Sequence, residues 1–188
     1  MNNVELANTA RAFAQETTCY LRGTWGQYLS DAEYSRLLKM YPANEKYNNE
    51  KYVGNDKAYP FDCICFVKGL LGGVKPGTRI SYNQMAHNPV GDCTTEKFLS
   101  LLYDTVEPKY APVGYGLATK GHAALSLGGG YWIDANYSNT QNGIQIHSTG
   151  IEIFTKAGKI PGVEYEESER EILRGFCDYL IDSYLNRK

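Results

Sequence analysis

The chain has 188 residues and a formal net charge of -2. That length suits one compact domain with a single core, and neither the charge nor any basic run offers the footprint a nucleic acid needs. No apolar stretch reaches membrane-spanning length, and the opening residues, MNNVELANTARAF, lack the charged and apolar regions of a secretory signal, so the expectation is synthesis in a cytosol and no membrane partner.

There are five cysteines, at positions 19, 63, 65, 93 and 177. Without a signal peptide a disulfide framework is not expected. Cys63 and Cys65 form a C-x-C pair, but no second Cys or His cluster completes a tetrahedral zinc site, and no metal or organic cofactor is expected. Tyrosine is over-used, with 16 residues. These suit a semi-polar core and rim, or a tyrosine-lined groove for a polar substrate.

In chain order, residues 4–15 read as a helix, with Val4, Ala7, Ala10, Phe13 and Ala14 near helical spacing. Ser30-Asp31-Ala32-Glu33 is a capping-box sequence that starts a second helix ending before Pro42. Residues 43–59 are polar and read as an irregular loop. A third helix is expected over 62–71, stopped by Gly72-Gly73. Thr94 or Thr95 caps a fourth, with Phe98, Leu99, Leu101 and Leu102 as its apolar face.

From Tyr115 the period changes. Segments 114–119, 122–127, 131–135, 144–147 and 150–154 are short, β-favouring and separated by glycine. Gly128-Gly129-Gly130 reads as a hairpin turn and Asn142-Gly143 as a second turn. Residues 168–186 read as an amphipathic helix with Ile172, Leu173, Phe176, Leu180, Ile181, Tyr184 and Leu185 on one stripe. Helices, then antiparallel strands, then a closing helix predict an α+β domain.

The chemistry gathers at two motifs. In Phe61-Asp62-Cys63, Asp62 is placed as the N-cap and Cys63 in the first helical turn. There the unused N–H groups and partial positive charge favour a thiolate and can donate to an oxyanion. In Gly121-His122-Ala123-Ala124-Leu125-Ser126-Leu127 the histidine opens an alternating strand. Twelve residues on, across the glycine turn, Asp134 falls on the neighbouring strand close to His122, where a carboxylate fixes the imidazole tautomer and stabilises the imidazolium. Taken singly, each has a structural reading: a packed cysteine, a satisfied core histidine, a strand-end aspartate.

Taken together, Phe61-Asp62-Cys63-Ile64-Cys65-Phe66-Val67-Lys68 and Gly121-His122 through Gly128-Gly129-Gly130 to Asp134 resemble the NlpC-type, papain-like cysteine peptidases, closest to phage-encoded cell-wall lysins. The similarity continues through Asn142-Gly143-Ile144-Gln145-Ile146 and Phe154-Thr155-Lys156-Ala157-Gly158-Lys159-Ile160-Pro161. Upstream, Tyr20-Leu21-Arg22-Gly23 is similar to the family's Tyr-x-x-Gly segment. It covers roughly residues 1–165, with 166–188 outside it. Two departures stand out: Ile64-Cys65 replaces the usual Ser-Gly, and Asp134 stands where many relatives have His.

The resemblance implies a papain-like α+β fold with the nucleophile at a helix N-terminus. It implies a hydrolase that cuts a stem-peptide amide of bacterial peptidoglycan, with Cys63 as nucleophile, His122 as base, Asp134 as orienter and Tyr20 as an oxyanion donor. Such a protein acts at the wall after release, or as part of a virion. The stripe over 168–186 is expected to pack on the domain, the alternative being a virion or oligomer partner. Rival readings are an interbacterial toxin of similar chemistry, and a non-catalytic wall-binding or virion structural module.

Other residues receive plain roles. His87 is placed in a loop and His147 on the solvent side of an edge strand. Cys19 and Cys177 are placed on apolar helix faces, and Cys93 in a turn. Asp92, Glu96 and Asp104 are read as solvated. Trp25 and Trp132 are candidates to line the cleft, but Trp132 is assigned to the sheet face opposite Asp134 and so to the core.

Overall fold

Short polar side chains at the helix starts set the boundaries in this computed structural model, which describes residues 1–138 and 140–165. Helix α1 (Asn3–Phe13) begins with a reciprocal capping box between Asn2 and Glu5. Ser30 accepts from the Glu33 N–H to start α2 (Asp31–Met40), Asp62 from that of Cys65 to start α3 (Cys63–Leu71), and Thr94 from that of Lys97 to start α5 (Thr95–Leu101). A further capping box, Ser81 with Gln84, forms the short α4 (Tyr82–Ala86). The expected helix over 168–186, and Cys177 with it, lie outside the described residues.

The strands are β1 (Thr17–Tyr20), β2 (Ala58–Phe61), β3 (Tyr103–Val106), β4 (Gly116–Thr119), β5 (His122–Gly128), β6 (Tyr131–Tyr137), β7 (Asn142–His147) and β8 (Lys156–Lys159). Six of them form an antiparallel sheet in the order β3-β8-β4-β5-β6-β7, while β1 and β2 make a separate parallel pair. Helices and an antiparallel sheet together form an α+β arrangement. Among the described residues, no helix is long and apolar enough to cross a membrane.

Alternation along the strands divides the sheet into two covered faces. One carries Ala123, Leu125, Leu127, Ile133 and Ala135 against Leu6, Ala10 and Phe13 of α1 and Phe66, Val67 and Leu70 of α3. The Phe13 ring meets Tyr59 and Phe61 edge-on, each at 5.2 Å. The other face carries Leu117, Ala124, Trp132 and Ala157 beneath Tyr115, Ile151 and Phe154. Helix α3 is buried along most of its length, including Lys68, whose ammonium is 2.5 Å from Asp92. Asp92 is therefore not simply solvated. Asp104, by contrast, is exposed and pairs with Lys159 at 3.1 Å.

Several expectations fail, each for a tertiary reason. Residues 17–20 and 58–61 are strands too short to show a period, and Cys19 is buried in β1 rather than on a helix. The segment 150–154 is not a strand: Ile151–Ile153 make a 3-10 turn, and the last strand of the sheet is Lys156–Lys159. Asn142-Gly143 is not a turn either. Both residues lie in β7, and the chain reverses between Tyr137 and Asn142, which pair directly.

Gly143 is glycine because β1 crosses its face. Its φ is +117°, and a Cβ there would sit 2.4 Å from the Thr18 hydroxyl oxygen and 2.7 Å from the Thr18 carbonyl oxygen. The same approach lets the Thr18 hydroxyl accept the Ile144 N–H at 2.9 Å. Gly143→Ala should lower the unfolding free energy by about 1–3 kcal/mol, measured by chemical denaturation. An unchanged midpoint would show that β1 yields easily.

Candidate active site

Cys63 is the first residue of α3, placed by two bonds to Asp62. One Asp62 oxygen accepts from the Cys65 N–H at 2.7 Å, and the other accepts from the Gly23 N–H at 2.8 Å. The N-cap thus ties the helix start to the Tyr20-Leu21-Arg22-Gly23 turn. Gly23 has a φ of +81°, and a Cβ there would be 2.6 Å from the Tyr41 ring, so the turn tolerates glycine best. Burial raises the Asp62 carboxyl above its usual range, opposed by the two N–H bonds.

The Cys63 sulfur lies 4.0 Å from the carbonyl oxygen of Gly121, just before His122. His122 is bonded to Asp134 and lies close enough to Cys63 for the thiol to favour its charged form. Its Nε2 is 2.7 Å from Asp134 Oδ2, which leaves Nδ1 for the thiol. Burial opposes the imidazolium, but the hydrogen bond to Asp134 and the neighbouring Cys63 outweigh it and hold the pKa at about 10 against an ordinary 6.5.

Sheet register explains why these groups meet. Leu125 opposes Ile133, so on the shared face His122 and Asp134 are diagonal neighbours, a separation that long side chains bridge. Asp134 is fully buried, with 0% exposure. It has a second diagonal neighbour on the other side: Trp132 opposes His147, and His147 Nε2 lies 2.9 Å from Asp134 Oδ1. The carboxylate therefore joins two imidazoles.

His147 is not the solvent-facing residue the sequence suggested. Its ring stacks on Trp132 with centroids 3.9 Å apart and planes 17° from parallel. Trp132 is buried as expected, but on the same face as Asp134, because residues two apart on a strand point the same way. Phe154 completes the aromatic wall, 5.0 Å from Trp132 and stacked 5.7 Å from His122. The signal that could have found His147 was the turn. Placing the reversal at 142–143 puts His147 opposite residue 138, whereas the observed register puts it opposite Trp132.

Tyr20 lies beside the cysteine. Burial pushes its phenol strongly upward, reinforced by the neighbouring Cys63 and Asp62, so the hydroxyl remains a donor. Two asparagines that sequence reasoning missed grip its backbone. Asn142 Oδ1 accepts the Tyr20 N–H at 2.6 Å, Asn49 Nδ2 donates to the Tyr20 carbonyl at 2.7 Å, and the two amides bond each other at 2.9 Å. The phenols of Tyr47 and Tyr20 near Arg22 raise its pKa, against a smaller opposing effect of burial. His87 is exposed and bonds the Asn83 carbonyl through Nδ1. Trp25 donates to the Ile80 carbonyl at 3.3 Å and meets Tyr82 edge-on.

The chain matches no protein-family model, no curated protein and no solved structure.

The other described thiols sit in contrasting surroundings. Burial pushes Cys19 up to about 12, and raises Cys65 and Cys93. The charge of Asp62 adds to the effect at Cys65, against the pull of Lys68. Limiting iodoacetamide near neutral pH should therefore label Cys63 first, and peptide mapping that finds Cys19, Cys65 or Cys93 ahead of it would contradict this site.

The His122 shift also has a stability consequence. A folded-state pKa of about 10 against 6.5 means that the charged imidazole stabilises the fold fully below pH 6.5 and loses that contribution as pH rises towards 10. His122→Gln keeps a donor for Asp134 but cannot titrate. The stability of the native chain relative to this variant should shrink steadily over that pH window, measured by urea denaturation; a constant difference would exclude the charged pair.

Proposed function

We propose that this protein is a cysteine hydrolase of papain-like, NlpC-type fold that cleaves an amide bond in the stem peptide of bacterial peptidoglycan, as a phage lysin does. The observation that carries the hydrolase reading is the grouping of Cys63, His122 and Asp134: a thiol at a helix N-terminus 4.0 Å from the carbonyl just before the histidine, and a buried carboxylate 2.7 Å from the histidine ring. The substrate class rests on the resemblance of the Phe61-Asp62-Cys63, Gly121-His122 and Tyr20-Leu21-Arg22-Gly23 segments to that family.

The chemistry follows from the positions. The Cys63 thiolate attacks the amide carbonyl carbon, and the carbonyl π electrons move to oxygen. That oxyanion is met by the Cys63 N–H at the start of α3 and by the Tyr20 hydroxyl. His122, already an imidazolium, gives its Nδ1 proton to the leaving amine, and the C–N bond breaks to leave a thioester. Water then loses a proton to His122 as its oxygen attacks the thioester, and the thiolate is released with the acid product. Asp134 holds the ring and its charge throughout without exchanging the reaction's proton.

On purified sacculi, loss of turbidity followed by mass analysis of the released peptides should reveal cleavage and name the bond. Activity should fall in the order native chain, then Asp134→His or Asp134→Asn, then Asp134→Ala, then His122→Ala and Cys63→Ala. Asp134→Ala should lose no more than about 10²–10⁴-fold, the scale of one acid–base contribution, while Cys63→Ala should retain essentially nothing. An intact, folded chain that releases no peptide from sacculi of varied cross-link type would reject the peptidoglycan reading.

A further inference from the structure

Asp134 has two oxygens, and each is met by a different histidine. His122 Nε2 lies 2.7 Å from Oδ2 and His147 Nε2 lies 2.9 Å from Oδ1. With Asp134 wholly buried and His122 and His147 only 21% and 22% exposed at their side chains, both contacts are sheltered from water. A carboxylate accepts and does not donate, so in each contact the histidine supplies an Nε2–H. The two imidazoles come from opposite neighbours of β6 in the sheet, one from β5 and one from β7.

From this arrangement we infer that His147 is a positioning residue of the site, holding Asp134 by an Nε2–H donor so that its other oxygen is aimed at His122. The inference rests on the reading of Cys63 and His122 as the reacting pair.

Three features single out this role. First, the donor is braced. The His147 ring lies flat on Trp132 at 3.9 Å, and Trp132 is itself fixed by donating its indole N–H to the Thr149 carbonyl at 2.9 Å. A braced donor leaves Asp134 little freedom to rotate about its Cβ–Cγ bond. Second, without it Oδ1 would be a buried carboxylate oxygen short of a partner, and the carboxyl would relax by turning or by taking a proton. Either response weakens the charge that supports the His122 imidazolium. Third, the groups facing His122 are Cys63 from α3 and Asp134 from β6, while His147 faces Asp134 and the neutral Trp132. The effect of His147 on the thiol must therefore pass through Asp134.

The test separates this role from simple packing, and does not depend on the substrate. His147→Phe keeps a flat ring for Trp132 but removes the donor; His147→Gln removes the ring but can donate from its amide. In the full chain, the rate of Cys63 alkylation by iodoacetamide is followed from pH 6 to pH 10, with His122→Ala as the reference for a lost partner. His147→Phe should slow alkylation at pH 6 by about tenfold or more, the scale of one charge-assisted hydrogen bond, and converge with the native chain at the alkaline end. His147→Gln should stay within about threefold of native, since it restores the same type of bond.

Native-like alkylation at pH 6 in folded His147→Phe overturns the inference. So does equal loss in both variants, which marks the ring rather than the donor as what matters. Should His147→Phe not fold, long-range proton–nitrogen spectra of the native chain decide. They should assign Nε2–H to both His122 and His147 at neutral pH, and a His147 protonated only at Nδ1 overturns the inference. Failure on sacculi with the alkylation pattern intact would instead overturn the proposed substrate and leave the role of His147 standing.

Discussion

A single buried carboxylate organises this molecule. Asp134 sits at 0% exposure in the middle of three adjacent strands. An unpaired charge there costs several kcal/mol even after relaxation, and two imidazole donors meet that cost. They can do so only if β5, β6 and β7 keep their registers. A one-residue slip of either outer strand would turn its histidine to the face occupied by Leu125 and Ile133. The requirement that makes the site also selects the strand pairing.

The thiol arrives from the other layer. Helix α3 packs through Phe66, Val67 and Leu70 on the core face of the sheet, so its N-terminus lies at the end of β5 where His122 begins. Asp62 caps the helix and holds Gly23, Gly143 admits β1, and Asn49 with Asn142 grips the backbone of Tyr20. Most of the polar groups around Cys63 therefore position other groups. Their directional bonds fix the orientation of a tyrosine, a helix start and a ring, which apolar contact alone does not provide.

The cysteines differ in surroundings more than in burial. Cys19, Cys63 and Cys65 are all nearly inaccessible, yet of the three it is Cys63 that lies near an imidazole whose pKa is raised to about 10. Cys65, in place of the glycine expected from the resemblance, has Asp62 and Lys68 as its charged neighbours, and burial dominates it. The departure from the usual motif thus falls beside Lys68, which pairs with Asp92.

What the sequence determined by itself is what local chemistry dictates. Caps at Ser30, Asp62 and Thr94 set helix starts, Gly72-Gly73 ends α3, and the three glycines after Leu127 turn β5 into β6. Those signals suffice to place Cys63 in a first helical turn and Asp134 beside His122. Tertiary structure alone decided the rest, because it depends on partners distant in sequence. Asn142-Gly143 has the composition of a turn, but the close approach of Thr18 needs that glycine inside a strand, and the Tyr20 N–H needs that asparagine. Moving the turn from 142–143 to the segment between Tyr137 and Asn142 changes the register of β7, and only in that register does His147 reach Trp132 and Asp134. A strand's side-chain period is legible in one sequence, but its register belongs to a pair.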